Sequence, residues 1–419
     1  MELLLPLINI GVIFFVAWRW WLADDSAFRK IFWPAFFLKL GAGLLLGYIY
    51  SYYYTNSDTV SFFQKSVELS ELGRNNFPQF LNYLWSATDA PYSGENRTIF
   101  FVKIVSLFSF ITGDNYWIVS LYFSFLSFLA IWWLTRIISL HFPDFSWSMV
   151  FSFLVFPSTV FWSSGVIKET MAFVSLCFLS GIYIKFWVGK KIPVWQYLLV
   201  VLFIWILWSL KYYYAALFIP IACTALLTRW FAENRMKASV RSAYRELVLF
   251  MVLLMVMFFV VTFVHPNLYP QRVLEVMVEN NEIFLELSHP DKVIHFFDLE
   301  PTFGSLLLNM PWAFLSGLFR PIIWEASNIL QILVSVENLF LGFLVVISLK
   351  NLKLIARSEH RILILSILVY CFLLCSFLAI SAPNFGTLVR YRVGFLPFFV
   401  LLVGYQTAVV GYLKNIFKT

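Results

Sequence analysis

Ionisable side chains are scarce in this chain, and the few that interrupt its apolar runs are the groups able to do chemistry. Asp58 follows the aromatic stretch Tyr52-Tyr53-Tyr54-Thr55-Asn56-Ser57. A carboxylate flanked by rings at a membrane boundary loses part of its hydration, which raises its proton affinity and suits it to general-base work. A solvated helix end is the plainer use of the same residue. Lys168 and Glu169 come after the turn Phe156-Pro157-Ser158-Thr159-Val160-Phe161-Trp162-Ser163-Ser164-Gly165. They either mark a helix start as an exposed ion pair, worth about 1 kcal/mol or less, or face a cavity and bind a phosphate or a sugar. Arg390, Tyr391 and Arg392 stand together ahead of Pro397. Guanidinium forks match phosphate oxygens in pairs, which a single ammonium does not; snorkelling to lipid phosphates is the alternative. Arg320 and Glu325, separated by Pro321-Ile322-Ile323-Trp324, and Lys211 beside three tyrosines complete the set. Glu337 lies within an apolar run, where a carboxylate is costly and marks function by default. His265, His289 and His295 have no zinc-ligand spacing and read as surface histidines.

The chain that positions these groups is built for lipid. Of its 419 residues 61% are hydrophobic and 13% charged, whereas a soluble domain carries about 25% charged residues. A soluble globular fold is thereby excluded. The 48 Phe and 17 Trp suit a lipid-facing surface with interfacial anchors. The net charge of +7 sits in short basic clusters between apolar runs, which excludes nucleic acid as the partner and points to loops under the positive-inside rule. Cys177, Cys223, Cys371 and Cys375 all fall inside apolar runs and read as thiols, not as a disulfide or metal framework. The N-terminus has neither a basic n-region nor a small-residue cleavage site, so a retained first helix is expected. No phosphate-binding glycine loop, dinucleotide fingerprint or HExxH pattern occurs, so nothing supports ATP or NAD chemistry.

A bilayer core needs about 20 apolar residues per helix. That rule places eleven spans, near 4–22, 31–54, 115–139, 146–163, 167–187, 194–210, 212–229, 246–265, 327–349, 361–381 and 392–414, in a single all-α transmembrane domain covering 1–419. The stretch 99–112, interrupted by Lys103, is read as an interfacial or re-entrant helix. Threading eleven spans puts Arg136 on one side together with four basic clusters. These are Lys185/Lys190/Lys191, Arg229/Arg235/Lys237/Arg241/Arg245, Lys350/Lys353/Arg357/Arg361 and Lys414/Lys418. That side is expected to be cytoplasmic, with the N-terminus outside and the C-terminus inside. Two longer segments, 55–114 and 266–326, then lie outside and are expected to carry helices on the membrane surface. Asn96-Arg97-Thr98 on that side matches a glycosylation sequon.

Asp58, Lys168, Glu169, Lys211, Arg320, Arg390 and Arg392 all fall at the outer ends of different spans. A transport pathway places its ionisable groups near mid-bilayer on broken helices. A site at the outer rim fits work on a lipid-linked anion.

Several short stretches resemble the GT-C superfamily of membrane glycosyltransferases, notably the protein mannosyltransferase and aminoarabinose transferase branch. They are the early acidic Asp58, Asn115-Tyr116-Trp117-Ile118-Val119-Ser120-Leu121 leading to Arg136, the Phe156-Pro157-Ser158 turn with Trp162-Ser163, and Arg390-Tyr391-Arg392 before Pro397. The resemblance implies a GT-C-like fold and transfer of a sugar from a polyprenyl-phosphate donor to a glycan, lipid or protein acceptor on the extracytoplasmic face. It implies Asp58 as catalytic base, or as ligand to the acceptor or a metal, and Arg390 and Arg392 as holders of the donor phosphate. Lys168-Glu169 departs from that branch, where an aspartate is common, and Asp58 stands alone where paired acids are usual. These departures leave the acceptor and any divalent metal open; no other cofactor is implied. The same features are similar to O-antigen-type polysaccharide polymerases, which act on undecaprenyl-diphosphate glycans. A lipid or glycolipid transporter, with the outer charges as a headgroup site, is the alternative outside enzyme chemistry, and a structural membrane scaffold is a further one. A bacterial inner membrane, and a part in cell-envelope polysaccharide synthesis, are the expected setting.

Overall fold

Backbone polar groups in lipid have no water to bond, so an apolar chain without barrel periodicity must close its hydrogen bonds within helices. The computed structural model describes residues 4–26, 28–54, 58–86, 95–234, 243–351 and 358–418. It is 84% helical, with no strand among the described residues. Eight of its helices are long and apolar enough to cross a membrane, or nine if one bent pair counts as a single span. The chain is an integral membrane protein.

Helices α1 (Leu4–Leu22) and α2 (Phe32–Tyr52) pack through Phe14 against Trp33 and Phe36. An excursion at the far end of α2 carries α3 (Asp58–Asn75), α4 (Phe77–Trp85) and α5 (Asn96–Thr112). Asn115 then caps α6 (Tyr116–His141) by accepting from the amides of Trp117 and Ile118.

The expected span over 146–163 is interrupted. Helix α7 (Ser146–Met149) runs into a π-helical turn, Val150–Val155, and the helix ends at Phe156, whose ψ is 121°. Pro157 disfavours helical backbone in the residue before it, and itself opens the short α8 (Pro157–Trp162). An extended stretch leads into α9 (Lys168–Trp187), the most deeply buried long helix, which packs between α6 and α10 (Val194–Asn234).

α10 is two legs, not one rod. Forty-one residues of straight helix would span about 60 Å. Yet Gln196 near one end accepts from Lys185 at 3.2 Å, and Arg229 near the other sits 4.9 Å from the Trp187 ring. Both ends therefore lie beside the C-terminal end of α9, and the chain doubles back at Lys211, whose φ of −145° and ψ of 68° are non-helical.

Helix α11 (Ala243–Val261) returns to the end that carries Asp58. A second excursion there holds α12 (Pro270–Leu287) and α13 (Phe303–Phe319), the latter apolar but shorter than a span. Then come α14 (Ile329–Ser348) and α15 (Arg361–Ser381), followed by α16 (Phe385–Tyr391), which continues through the tight turn Arg392–Gly394, and α17 (Leu396–Val403), set at 68° to it across Phe395, and last α18 (Ala408–Lys418). The eleven expected spans and the eight long apolar helices among the described residues differ at three places: the break at Phe156, the reversal at Lys211 and the bend at Phe395.

The described members of the basic loop clusters, with Arg136, gather at the end opposite Asp58. Arg361 pairs with Glu246 at 2.7 Å, Arg229 with Glu233 at 2.8 Å and Arg136 with Asp25 at 3.1 Å. Arg235, Lys237, Arg241, Lys353 and Arg357 lie outside the described residues.

Candidate functional site

At the Asp58 end, a cavity of about 580 Å³ opens between the two excursions. Asp58, Lys168, Glu169, Lys211, Arg390 and Tyr391 all line it. Asp58 and Arg390, 332 positions apart in the chain, thus reach one space.

Glu169 is the anchor of the cluster. Its side chain is 2% exposed, and Oε1 lies 2.8 Å from Lys211 Nζ and 3.4 Å from Arg390 Nε. Arg390 Nη1 donates to Asp58 Oδ2 at 3.1 Å, so one guanidinium spans a buried carboxylate and a half-exposed one. Lys211 Nζ stands 3.5 Å from the centre of the Tyr391 ring, a cation–π contact out of bulk water. Lys168 differs from the other cations of the cavity. It donates to Thr98 Oγ1 at 2.8 Å and lies 4.9 Å from the Phe62 ring. No carboxylate comes within ion-pair distance of it among the described residues.

Local structure explains why these tips converge. Thr59, next to Asp58, donates its hydroxyl to the Val166 carbonyl at 2.7 Å, tying the start of α3 to the stretch that delivers Lys168 and Glu169. Gly165 in that stretch has φ +70°, and its amide donates to Ser124 Oγ at 3.0 Å. Opposite, the Gly43 carbonyl accepts from Ser120, and a Cβ on Gly43 would lie 1.9 Å from Ser124 Oγ. Only glycine allows α2 and α6 to close on the loop there. Lys39 anchors the C-terminal turn of α8 from below, donating to the Val160 carbonyl and to Ser163 Oγ, which places a cation at the negative end of that helix. The α10 tip is fixed in turn by Tyr214, whose hydroxyl donates to the Tyr391 carbonyl at 2.6 Å.

Four of the sequence candidates do not join the cavity. Arg392 is two residues past Arg390, and two residues along a helix turn the side chain by about 200°. It points inward, fully buried, and Nη1 donates at 2.9 Å to both the Leu318 carbonyl and Asn338 Oδ1. Expected as a phosphate holder, Arg392 is instead spent on the junction of α13, α14 and the α16–α17 bend. Arg320 and Glu325 pair with each other, and Glu325 Oε2 also accepts from the Ile322 amide at 2.9 Å. The Arg320 guanidinium rests 5.0 Å from the Phe385 ring. This pair closes the turn after α13, outside the cavity lining. Glu337 accepts from the Ser158 amide at 2.7 Å, capping the break before α8.

The cavity also has walls that the sequence reading missed. Glu95 and Arg97, an ion pair, and Thr98 arrive from the start of α5. Arg272 and Glu279, 3.2 Å apart, arrive from α12. Their signal was present in the spacing of Arg272, Glu275 and Glu279, which puts all three on one helix face. Beside the charged cavity lies an apolar groove of about 360 Å³ between α10, α11, α12 and α13, lined by Phe258, Phe259, Val273 and Leu306 among others. The two spaces share Tyr212, Tyr213, Val276 and Phe377.

Asp58 and Glu169 are both engaged with cations. No group of three His, Cys, Asp or Glu side chains arranged to hold a metal ion occurs among the described residues. No family model, curated protein or solved structure matches the chain.

Proposed function

We propose that this chain is a membrane glycosyltransferase of GT-C type that takes a sugar from a polyprenyl-phosphate carrier at the end of the bundle holding Asp58. The observation that carries the reading is the shared wall: a cationic cavity and an apolar groove meet at Tyr212, Tyr213, Val276 and Phe377. A ligand filling both is an anion on a long apolar tail. The groove lies beside α11, whose Phe259 and Val256 are exposed on the outer surface of the bundle, so the tail would enter from lipid without crossing water.

In the proposed reaction an acceptor hydroxyl attacks the anomeric carbon and its proton passes to Asp58. The bond from that carbon to the phosphate oxygen breaks, and the departing phosphate takes the electron pair. Lys168, with no carboxylate partner, meets the phosphate first; Arg390 and Lys211 add charge already fixed by Glu169, so little reorganisation is needed as negative charge develops. Arg390 also touches Asp58, which couples the base to the leaving-group side. The setting proposed is a bacterial inner membrane, with this end facing outward.

Purified protein in lipid, given a panel of labelled polyprenyl-phosphate hexoses and membrane acceptors, tests this. Transfer is expected from the wild type and absent from Asp58→Asn, with both proteins equally monodisperse. Undiminished transfer by Asp58→Asn removes that residue from the mechanism.

A second reading, a lipid or glycolipid transporter, draws on one observation: the helix break at Phe156, the end of α13 and the α16–α17 bend converge near Arg392 and Glu337. Interrupted helices around buried charge are the usual architecture of transport sites. Movement of labelled lipid between leaflets with no covalent product would favour it.

A further inference from the structure

At the opposite end of the bundle, a groove of about 970 Å³ lies between α1, the C-terminal half of α6, the residues leading into α7, and α18. Arg19, Arg136 and Lys414 line it. Arg136 is committed: Nη2 lies 3.1 Å from Asp25 and Nε 3.6 Å from Asp24. Asp24 is itself buried, accepting from the Trp132 indole at 2.8 Å and the Ser26 amide at 2.9 Å. Arg19 and Lys414 are exposed, and among the described residues neither has a carboxylate within ion-pair distance. Three cations against two aspartates leave one positive charge unbalanced.

Two further observations ask for a ligand. The hydroxyl oxygens of Ser26 and Ser139, both groove residues, are buried without a hydrogen-bond partner, which a buried polar atom rarely tolerates. The remaining walls are indole and apolar: Trp20, Trp133 and Trp147 line the groove, and Leu140 at its edge is 74% exposed. Indoles of this kind favour the headgroup level of a bilayer. The outer face of α1 continues from the groove through exposed Trp18, Phe15 and Leu22, a surface that only acyl chains can cover.

From these features we infer that the groove binds the headgroup of a monoanionic phospholipid. The phosphodiester lies between Arg19 and Lys414, its glycerol hydroxyls or ester oxygens reach Ser26 and Ser139, and its chains run along α1. A single net negative charge matches the single unbalanced positive one. Basic pockets at the cytoplasmic ends of spans hold anionic lipids by the same combination of charge and apolar contact. This site lies at the far end from the Asp58 cavity and does not depend on the proposed reaction.

The test uses the full chain in phosphatidylcholine nanodiscs doped with phosphatidylglycerol, with lipid retention read by native mass spectrometry. The wild type is expected to retain phosphatidylglycerol at least tenfold over phosphatidylcholine, and the preference is expected to weaken as salt rises. Arg19→Ala with Lys414→Ala should abolish the preference while the protein stays monodisperse; Arg136 is left intact because it neutralises Asp24. If that double variant does not fold, the salt dependence in the wild type carries the test alone. Equal retention of the two lipids, a preference unmoved by salt, or a preference unchanged in the folded double variant overturns the site. Competition by free glycerol phosphate or inorganic phosphate as effective as the lipid identifies a soluble-anion site and equally overturns the lipid assignment.

Discussion

Arg390 and Arg392 are two residues apart and serve opposite ends. Arg390 faces a cavity, shares its charge between a buried Glu169 and a half-exposed Asp58, and keeps company with a lysine that has no carboxylate. Arg392 is fully buried and its bonds go to a backbone carbonyl and an amide oxygen of its own fold. The two regions have similar ingredients, arginine with glutamate at the end of a helix. What separates them is whether water and lipid reach the charges. In the rim cluster the protein supplies most, but not all, of the neutralising charge, so a ligand can complete it. At the Arg392 junction the protein supplies acceptors to Nη1, while Nε and Nη2 are sealed in without one, and the charge holds three interrupted segments together.

The largest expected effect lies on the buried side. Arg392→Met removes a guanidinium whose absence leaves Asn338 and the Leu318 carbonyl without their donor and buried Glu337 without its neighbouring positive charge, at a cost of about 3–5 kcal/mol for breaking one side of a buried charged network. Thermal unfolding in detergent should register it, and adding Glu337→Gln should recover part of the loss. A double variant no more stable than the single one means that Glu337 and Arg392 are not coupled, and the comparison breaks. Gly43→Ala comes next, because its Cβ would meet Ser124 Oγ at 1.9 Å. Overpacking there should cost about 1–3 kcal/mol, relieved when Ser124 is also made glycine. On the rim side, Arg390→Lys keeps a charge but cannot reach Asp58 and Glu169 with separate nitrogens. Donor affinity is expected to fall roughly tenfold, about 1.4 kcal/mol, with the unfolding midpoint little changed. A midpoint that collapses as far as in Arg392→Met would erase the distinction between the two arginines. The smallest stability effect belongs to Lys168→Met, within about 0.5 kcal/mol of wild type as for other substitutions away from buried networks, while binding of polyprenyl phosphate is lost.

Much of this organisation was legible in the residues. Apolar length marks the spans, and the basic clusters separate the two ends. That Asp58, Lys168, Glu169, Lys211 and Arg390 share one end of the bundle followed from counting helices. Helix phase did not: Arg390 and Arg392 are equally plausible phosphate ligands until the turn they share sets them on opposite sides, one on Asp58 and one on Leu318 and Asn338. For α12 the local periodicity shows a charged face, Arg272 with Glu275 and Glu279, but not which side of the bundle that face leans on. Arg320 and Glu325 misled for a related reason. A pair five residues apart around a proline can face a ligand or each other, and here each satisfies the other.

The interrupted segment before Lys168 also has a consequence for how the protein is made. The amide of Ser158, freed by the break at Phe156, finds its acceptor in Glu337, 179 residues later in the chain. At synthesis rates of about 5–20 residues per second, that partner emerges roughly ten to forty seconds afterwards. Until then the α7–α8 segment carries an unsatisfied backbone donor and cannot settle into lipid alone. The break that precedes Lys168 and Glu169 is therefore completed only once α14 has been made.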